Sequence, residues 1–387
     1  MAVTSLHEPR CVSGDSARAR EAIAIMIGQL APQGGSERQL YLFLAACDHN
    51  RWAPVVYVSG ALGSWEGRIR KLGIPVELLR GHPLVKMWRF RQAAIAQKAT
   101  CFFSWSSYTN GFGLALTGRH FRRIGSFRNA SFADLPTQYG WLWRWMSTAG
   151  ISTFVCNSRE TKAQFASNRG PRKAVHFVPN AVEMFGSDQL ASWRAQWRSR
   201  LGLREDALLV LGVGRLARQK QFGRFIDVVA RVRRQFPVHA VIAGGDQGCQ
   251  ADLEAQRERL GLRDAIRFLG RVPDAHELMS AGDIFLLSSE HEGMPNVVLE
   301  AMAAGVPCVT TRVNGISDLI DHGETGYVAS HEADELAQHV IRLAANAELR
   351  RVVGARARAA IERSYRRDDV LRQLWTLCES PDPFVGK

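Results

Sequence analysis

Ile284-Phe285-Leu286-Leu287-Ser288-Ser289-Glu290-His291-Glu292-Gly293-Met294-Pro295-Asn296-Val297-Val298-Leu299-Glu300-Ala301-Met302-Ala303-Ala304-Gly305 reads as one strand, turn and helix. Four consecutive apolar residues at 284–287 have strand length and no polar alternation, the pattern of a strand covered on both faces. Gly293 opens the turn, Pro295 suits the first helical position, and Glu300 falls just over one turn inside the helix. Glu292 and Glu300 thus flank a helix N-terminus: its free amides face an anion, while the carboxylates accept hydrogen bonds from ligand hydroxyls. Taken singly, Glu290 and Glu292 read more simply as exposed loop acids and Glu300 as a helical surface residue.

The same alternation of strand-length apolar runs and helical periods extends in both directions. Upstream, strands are expected at 23–27, 55–58, 101–103, 123–127, 153–156 and 175–178; a second series follows at 208–213, 240–243, 266–269, 284–287 and 306–310. Leu40, Phe43, Leu44 and Cys47 mark one helical face, and Phe222, Phe225, Ile226 and Val229 another. This order predicts an α/β protein of two doubly wound domains, each binding ligands at the carboxyl ends of its strands, with the cleft between them as the default site. Residues 1–20 read as a flexible tail, 21–181 as the first domain, the polar stretch 182–200 as a linker, 201–362 as the second domain, and 363–387 as a helix returning to the first.

Length and composition agree: 387 residues, 46% hydrophobic and 22% charged, suit two ordinary globular domains and exclude wholesale disorder. No apolar run reaches the length of a membrane span, the first twenty residues lack a signal-peptide core, and seven dispersed cysteines form no C-x-x-C pair. A reducing cytoplasm is the expected location. The formal charge of +13 is concentrated, for residues 64–130 hold twelve Lys or Arg against only Glu66 and Glu77. Such a surface either attracts phosphate groups of lipid, nucleic acid or substrate, or is a solvated basic face. Trp141, Trp143 and Trp145 around Arg144 suggest packing in the first domain, with a membrane interface as the alternative.

Two glycine turns carry further chemistry. Gly34-Gly35-Ser36-Glu37-Arg38 lies between the first strand and helix, where paired glycines let a ligand approach the backbone; the plainer reading is a tight loop with Ser36 as helix cap. Gly212-Val213-Gly214-Arg215-Leu216-Ala217 satisfies G-x-G-x-x-A, yet Arg215 and Lys220 set two cations where a diphosphate could lie. Together with Glu292–Glu300 these segments resemble retaining nucleotide-sugar glycosyltransferases of family 4. E-G-M-P-N-V-V-L-E-A-M-A is similar to the family's E-x7-E motif, V-G-R-L with Lys220 to its diphosphate site, and Gly270-Arg271-Val272 to its base-contacting turn. The resemblance covers residues 22–365 and implies the GT-B architecture of two facing Rossmann-like domains.

What the resemblance implies is specific. Glu292 would hold donor sugar hydroxyls, Glu300 the ribose, and Arg215 with Lys220 the leaving diphosphate; Gly34, Gly35, Arg271, Val272, Gly293, Met294, Pro295 and Asn296 would complete the donor site. No D-x-D triplet occurs, so transfer without a metal and without any further cofactor is expected. The family's histidine beside the donor sugar has no counterpart in Phe103-Ser104-Trp105-Ser106-Ser107, which leaves Ser106, or Arg128 and Asn129 of a G-S-x-R-N-like segment, as acceptor-side candidates. The expected partners are a UDP-sugar donor, a glycan acceptor carried on a lipid, and the anionic inner face of the cell membrane. A small soluble acceptor is the nearest alternative. An NAD(P)-dependent oxidoreductase would leave Lys220, Glu292 and Glu300 idle, and a nucleic-acid-binding role lacks any recognised motif.

Overall fold

Strands buried on both faces organise the chain. In the computed structural model, which describes residues 20–30, 34–118, 121–128, 140–167 and 173–379, β1 (Glu21–Ile27) sends Ile23, Ile25 and Ile27 into one core layer and Ala24 and Met26 into the other. It is flanked by β2 (Trp52–Val58) and β4 (Ala99–Ser104), and the sheet is completed by β3 (Val76–Leu78), β5 (Arg122–Phe127), β6 (Thr153–Cys156) and β7 (Ala174–Phe177). All pairs are parallel, in the order β3-β2-β1-β4-β5-β6-β7. The second sheet, β8 (Leu208–Val213), β9 (Val238–Ala243), β10 (Ile266–Gly270), β11 (Ile284–Leu287), β12 (Cys308–Thr311) and β13 (Tyr327–Ala329), is also parallel, in the order β10-β9-β8-β11-β12-β13. Strand order reverses between β1 and β4 and again between β8 and β11, and a crevice opens at the carboxyl ends of each of these pairs.

Helices α1 (Gly35–Ala45) and α2 (Ser64–Arg70) pack on one face of the first sheet. The other face carries α3 (Pro83–Ala96) and a 3-10 helix (Ser107–Leu116), on which α4 (Gly140–Ala149) packs; α5 (Arg159–Ser167) joins β6 to β7. The second domain holds α6 (Ser187–Arg200), α7 (Phe222–Arg233), α8 (Gln250–Arg259), α9 (Ala275–Met279), α10 (Asn296–Ala303), α11 (Ala333–Ala344) and α12 (Ala347–Ser364). The last helix, α13 (Arg367–Glu379), returns to the first domain, where Trp375 stacks on Phe43 and Trp52 at centroid distances of 4.2 and 5.6 Å.

Three features differ from the sequence reading. Strands β3 and β13 were not expected, because three residues are too few to show a period. The polar stretch 182–200 is mostly helix: α6 docks on the second domain through Arg198, only 2% exposed, whose Nη1 donates to Oδ2 of Asp283 at 3.2 Å and to the Ala281 carbonyl at 3.0 Å. Average polarity concealed a buried cation. Packing of the tryptophans in the first domain is overturned, since Trp141 is 78% and Trp145 55% exposed. The inner side of α4 uses Met146 against Gly111 and buried Ser147, and Gly150 just beyond it lies against Gly113 and Leu114; that close approach leaves the bulky i, i+4 pair outside. The side chains of Trp143 and Arg144, residues 1–19 of the expected tail, and Asn129 lie outside the described residues.

Candidate functional site

At the reversal point of the second sheet, the loops leaving β8 and β11 carry the motif residues. After β8 the chain passes Gly214 and Arg215 into a 3-10 turn, Arg218–Lys220, and leaves it through Gln221 at φ +50°. A left-handed non-glycine residue costs about 1–2 kcal/mol, and here it turns the chain from Lys220 directly into α7. The two loops are stitched together: the Glu290 N–H donates to the Gln219 carbonyl at 2.8 Å, Gln219 Nε2 to the His291 carbonyl at 2.7 Å, and Ser288 Oγ to the Lys220 carbonyl at 3.0 Å. This brings Lys220 Nζ to 2.6 Å from Oε1 of Glu292, with both side chains mostly buried. Arg224 pairs with Glu290 at 3.0 Å and holds its carboxyl below the usual range. Arg215 Nη1 donates to Gln247 Oε1 at 3.3 Å. A Cβ on Gly244 would lie 1.7 Å from the Gly214 carbonyl oxygen, so only glycine lets the ends of β8 and β9 approach this closely.

The first domain answers across the cleft with α1. Gly34 is the residue before the helix and Ser36 lies within its first turn, so Ser36 is not the cap; its carbonyl instead accepts Trp105 Nε1 at 2.9 Å. The Gly35 carbonyl accepts Nδ2 of Asn296 at 3.0 Å, and a Cβ on Gly35 would sit 2.5 Å from that nitrogen. One turn on, Arg38 Nη1 lies 2.5 Å from Oε1 of Glu300, which is buried rather than a surface acid. Asn180, just after β7, donates through Nδ2 to Asn296 Oδ1 at 2.7 Å and to the Met294 carbonyl at 3.2 Å. Gln39 Nε2 reaches Asn296 Oδ1 at 3.3 Å and the Ala181 carbonyl at 2.8 Å. Gly35, Met294, Asn296 and Glu300 therefore share one interdomain network. Sequence reasoning assigned no role to Arg38, Gln39 or Asn180. The quoted glycine segment contains Arg38, and the only local signal for Asn180 is a Pro-Asn pair after a strand.

Other expected residues sit further out. Ser106 Oγ lies 3.2 Å from Thr109 Oγ1 at the end of β4. Arg128 follows β5 with its guanidinium 4.0 Å over the Trp105 ring, and its Nη1 donates to Asn180 Oδ1 at 3.3 Å. Among the described residues its Nε and Nη2, both buried, have no hydrogen-bond partner. Burial pulls the group down to about 9, so it remains a cation at neutral pH. Arg271 and Val272 follow β10, two strands from the reversal point, and Arg271 Nη2 reaches Ser64 Oγ of the first domain at 3.3 Å. Two ion pairs, Lys220 with Glu292 and Arg38 with Glu300, thus lie on either side of the start of α10.

Comparison with known proteins gives concordant findings. A model described as glycosyl transferases group 1 matches residues 194–360, and one described as Glycosyltransferase Family 4 matches residues 33–184. The chain is 30% identical to N-acetyl-alpha-D-glucosaminyl L-malate synthase of Bacillus anthracis over 59% of its own length and 58% of that protein's. It is 26% identical to the lipopolysaccharide core biosynthesis glycosyltransferase LpsD of Rhizobium meliloti, over 70% and 68% of the respective lengths. The match to the malate synthase thus spans less than two thirds of that relative. Among solved structures, Anabaena Alr3699/HepE in complex with UDP and glucose superposes with a TM-score of 0.82 at 19% identity, over 93% of this chain and all of that one. WaaG, a glycosyltransferase involved in lipopolysaccharide biosynthesis, gives 0.70 at 19% identity, over 94% and 100%.

Proposed function

We propose, because the chain belongs to glycosyltransferase family 4 with the GT-B fold of two facing Rossmann-like domains, that it moves a sugar from a nucleoside-diphosphate donor to a glycan acceptor. The observation that carries this reading is the pairing of Lys220 with Glu292 at the reversal point of the second sheet, beside the helix that presents Asn296 and Glu300 to the first domain. In this reading the donor diphosphate takes Lys220 and Arg215 as its counter-ions, and release of Lys220 leaves Glu292 free to hold sugar hydroxyls. Arg38 occupies Oε1 of Glu300, and among the described residues Oε2 accepts no hydrogen bond, which suits a ribose hydroxyl. Arg271 and Val272 would border the base, and Gly34, Gly35, Gly293, Met294 and Pro295 would shape the backbone around the donor.

Glycosyl transfer passes through an oxocarbenium-like state, so cations on the departing phosphate lower the barrier directly. We take the reaction to retain anomeric configuration, as the family resemblance implies, and to need no metal, because Lys220, Arg215 and the amides opening α10 supply the positive potential. UDP is the favoured carrier, in keeping with the ligand of the HepE neighbour. Arg128, a buried cation beside Asn180 with two guanidinium nitrogens lacking partners among the described residues, is the strongest acceptor-side candidate, ahead of Ser106 and Asn129. The lipopolysaccharide relatives and the basic first domain favour a lipid-linked intermediate of surface polysaccharide synthesis, met at the inner face of the cell membrane.

Thermal unfolding with UDP, GDP, NAD and NADP tests the reading, since a ligand bound at about 100 times its Kd adds about 2.7 kcal/mol to the folded state. UDP or GDP should raise the midpoint, and Glu300→Ala should reduce that rise. A rise with NAD or NADP alone would return the glycine turn after β8 to an oxidoreductase.

A further inference from the structure

Among the described residues most of the exposed large apolar side chains are gathered on three adjacent elements, with Leu62 and Leu260 lying elsewhere. Of the large hydrophobic residues standing out to solvent, Leu84, Val85, Trp88, Tyr108, Trp141 and Trp145 belong to α3, the 3-10 helix and α4, the three elements stacked on one face of the first sheet. They contact one another beneath the surface: Phe90 of α3 meets Phe112 of the 3-10 helix edge-on at 5.8 Å, and Gly111 lies against Met146 of α4. The amino-terminal ends of the three elements also lie toward one edge of the sheet. Lys86 Nζ donates to the Ser59 carbonyl at 2.5 Å, one residue past the end of β2, which ties the first turn of α3 to the carboxyl edge of the sheet. Tyr108 opens the 3-10 helix directly after β4. Residues following α4 are fixed at the opposite edge, where the Ser152 N–H donates to the Arg123 carbonyl, so the amino end of α4 with Trp141 lies toward the carboxyl edge. These side chains form a rim beside the mouth of the interdomain cleft.

The rim is basic as well as apolar. Arg80 and Arg89 are exposed and Lys86 half-buried, and neither α3 nor α4 contains an acidic residue. Interleaved tryptophan and arginine or lysine, with no acid and with the other face of each element built into the fold, match the layering of a lipid headgroup region. There the aromatic rings sit at the boundary with the acyl chains, and cations meet phosphate. A patch of solvent-facing tryptophans has no stabilising role in an isolated fold. Among the described residues no helix is long and apolar enough to cross a membrane.

We propose that this rim docks the first domain on an anionic lipid surface, with Trp88, Trp141 and Trp145 entering the headgroup boundary and Arg80, Lys86 and Arg89 engaging lipid phosphates. Docking in this way turns the cleft mouth toward the bilayer, where a lipid-carried acceptor would be. The purpose rests on the proposed glycosyl transfer, but the contact itself does not.

The test is flotation of the full chain with vesicles of phosphatidylcholine alone or with 30% phosphatidylglycerol (a chosen composition, about the level at which the surface potential is substantial), without donor or acceptor. The wild type should bind the anionic vesicles, with a blue shift of tryptophan emission, and release as salt rises. The triple variant W88A/W141A/W145A should lose about tenfold or more of the partition, and R80Q/K86Q/R89Q should lose the preference for anionic over neutral vesicles. Equal binding by the triple variant, or no vesicle binding by the wild type, overturns the proposal. So does a wild-type dimer, seen by sedimentation without vesicle binding, that the triple variant abolishes. If the tryptophan variant does not fold, the charge variant and the salt titration still decide. A chain that floats with vesicles but is stabilised by no nucleotide would keep this surface and lose the glycosyltransferase reading; the reverse result would do the opposite.

Discussion

Lys220 reaches Glu292 because three hydrogen bonds hold the loops after β8 and β11 together, and the strained Gln221 aims the lysine before α7 begins. In the proposed reaction this mostly buried cation exchanges Glu292 for the leaving phosphate without moving its loop. Lys220→Ala should therefore lower kcat by about 10²–10³-fold, the scale of losing one preorganised charge-stabilising group. Steady-state turnover of the donor sugar at saturating nucleotide sugar checks this; an unchanged kcat would remove Lys220 from the reaction. Arg38 shows the opposite situation. Its residue type and position appear in the quoted glycine segment, yet its partner, Glu300, lies 262 residues away and becomes visible only when the domains face each other.

At the scale of elements, α6 shows how a polar helix can be structural. Arg198 donates to the carbonyls of Ala281, Arg204 and Glu205 at 3.0, 2.7 and 3.0 Å and pairs with Asp283, whose Oδ2 also accepts the Leu209 N–H at the start of β8 at 2.8 Å. One guanidinium thus ties α6, the loop before β8 and the loop before β11. Arg198→Met keeps the volume of the apolar stem but leaves the Arg204 and Glu205 carbonyls without this donor and Asp283 with only Arg194 and the Leu209 N–H. A buried pair broken from one side typically costs about 3–5 kcal/mol, so the apparent unfolding midpoint in urea should fall clearly. Adding Asp283→Asn should recover part of that loss in a double-mutant cycle; strict additivity would mean that the two groups act independently.

For the whole molecule, the decisive feature is that the chain crosses between domains twice and at one place. The Val182 N–H donates to the Tyr365 carbonyl at 3.1 Å and the Arg367 N–H to the Val182 carbonyl at 3.0 Å, after which α13 buries Val370, Leu371, Leu374 and Trp375 in the first core. Trp375→Ala should cost about 3–5 kcal/mol, as expected for deleting a buried aromatic, and should lower the melting of the first domain; limited proteolysis that releases 367–387 would follow the same loss. Both sheets, their strands of four residues or more and the returning helix were legible in the sequence, because continuous apolar runs, helical periods and glycine turns are local patterns. Strands of three residues were not, nor was α6, since local patterning averages away a short run or a single buried arginine. The pairings of Arg38 with Glu300 and Asn180 with Asn296, the position of Arg128 over Trp105, and the exposure of Trp141 and Trp145 were decided by tertiary structure alone. Sequence determines which residues can be buried or charged, but which of them meet depends on how two separately folded sheets and their covering helices pack, a relation between positions far apart in the chain.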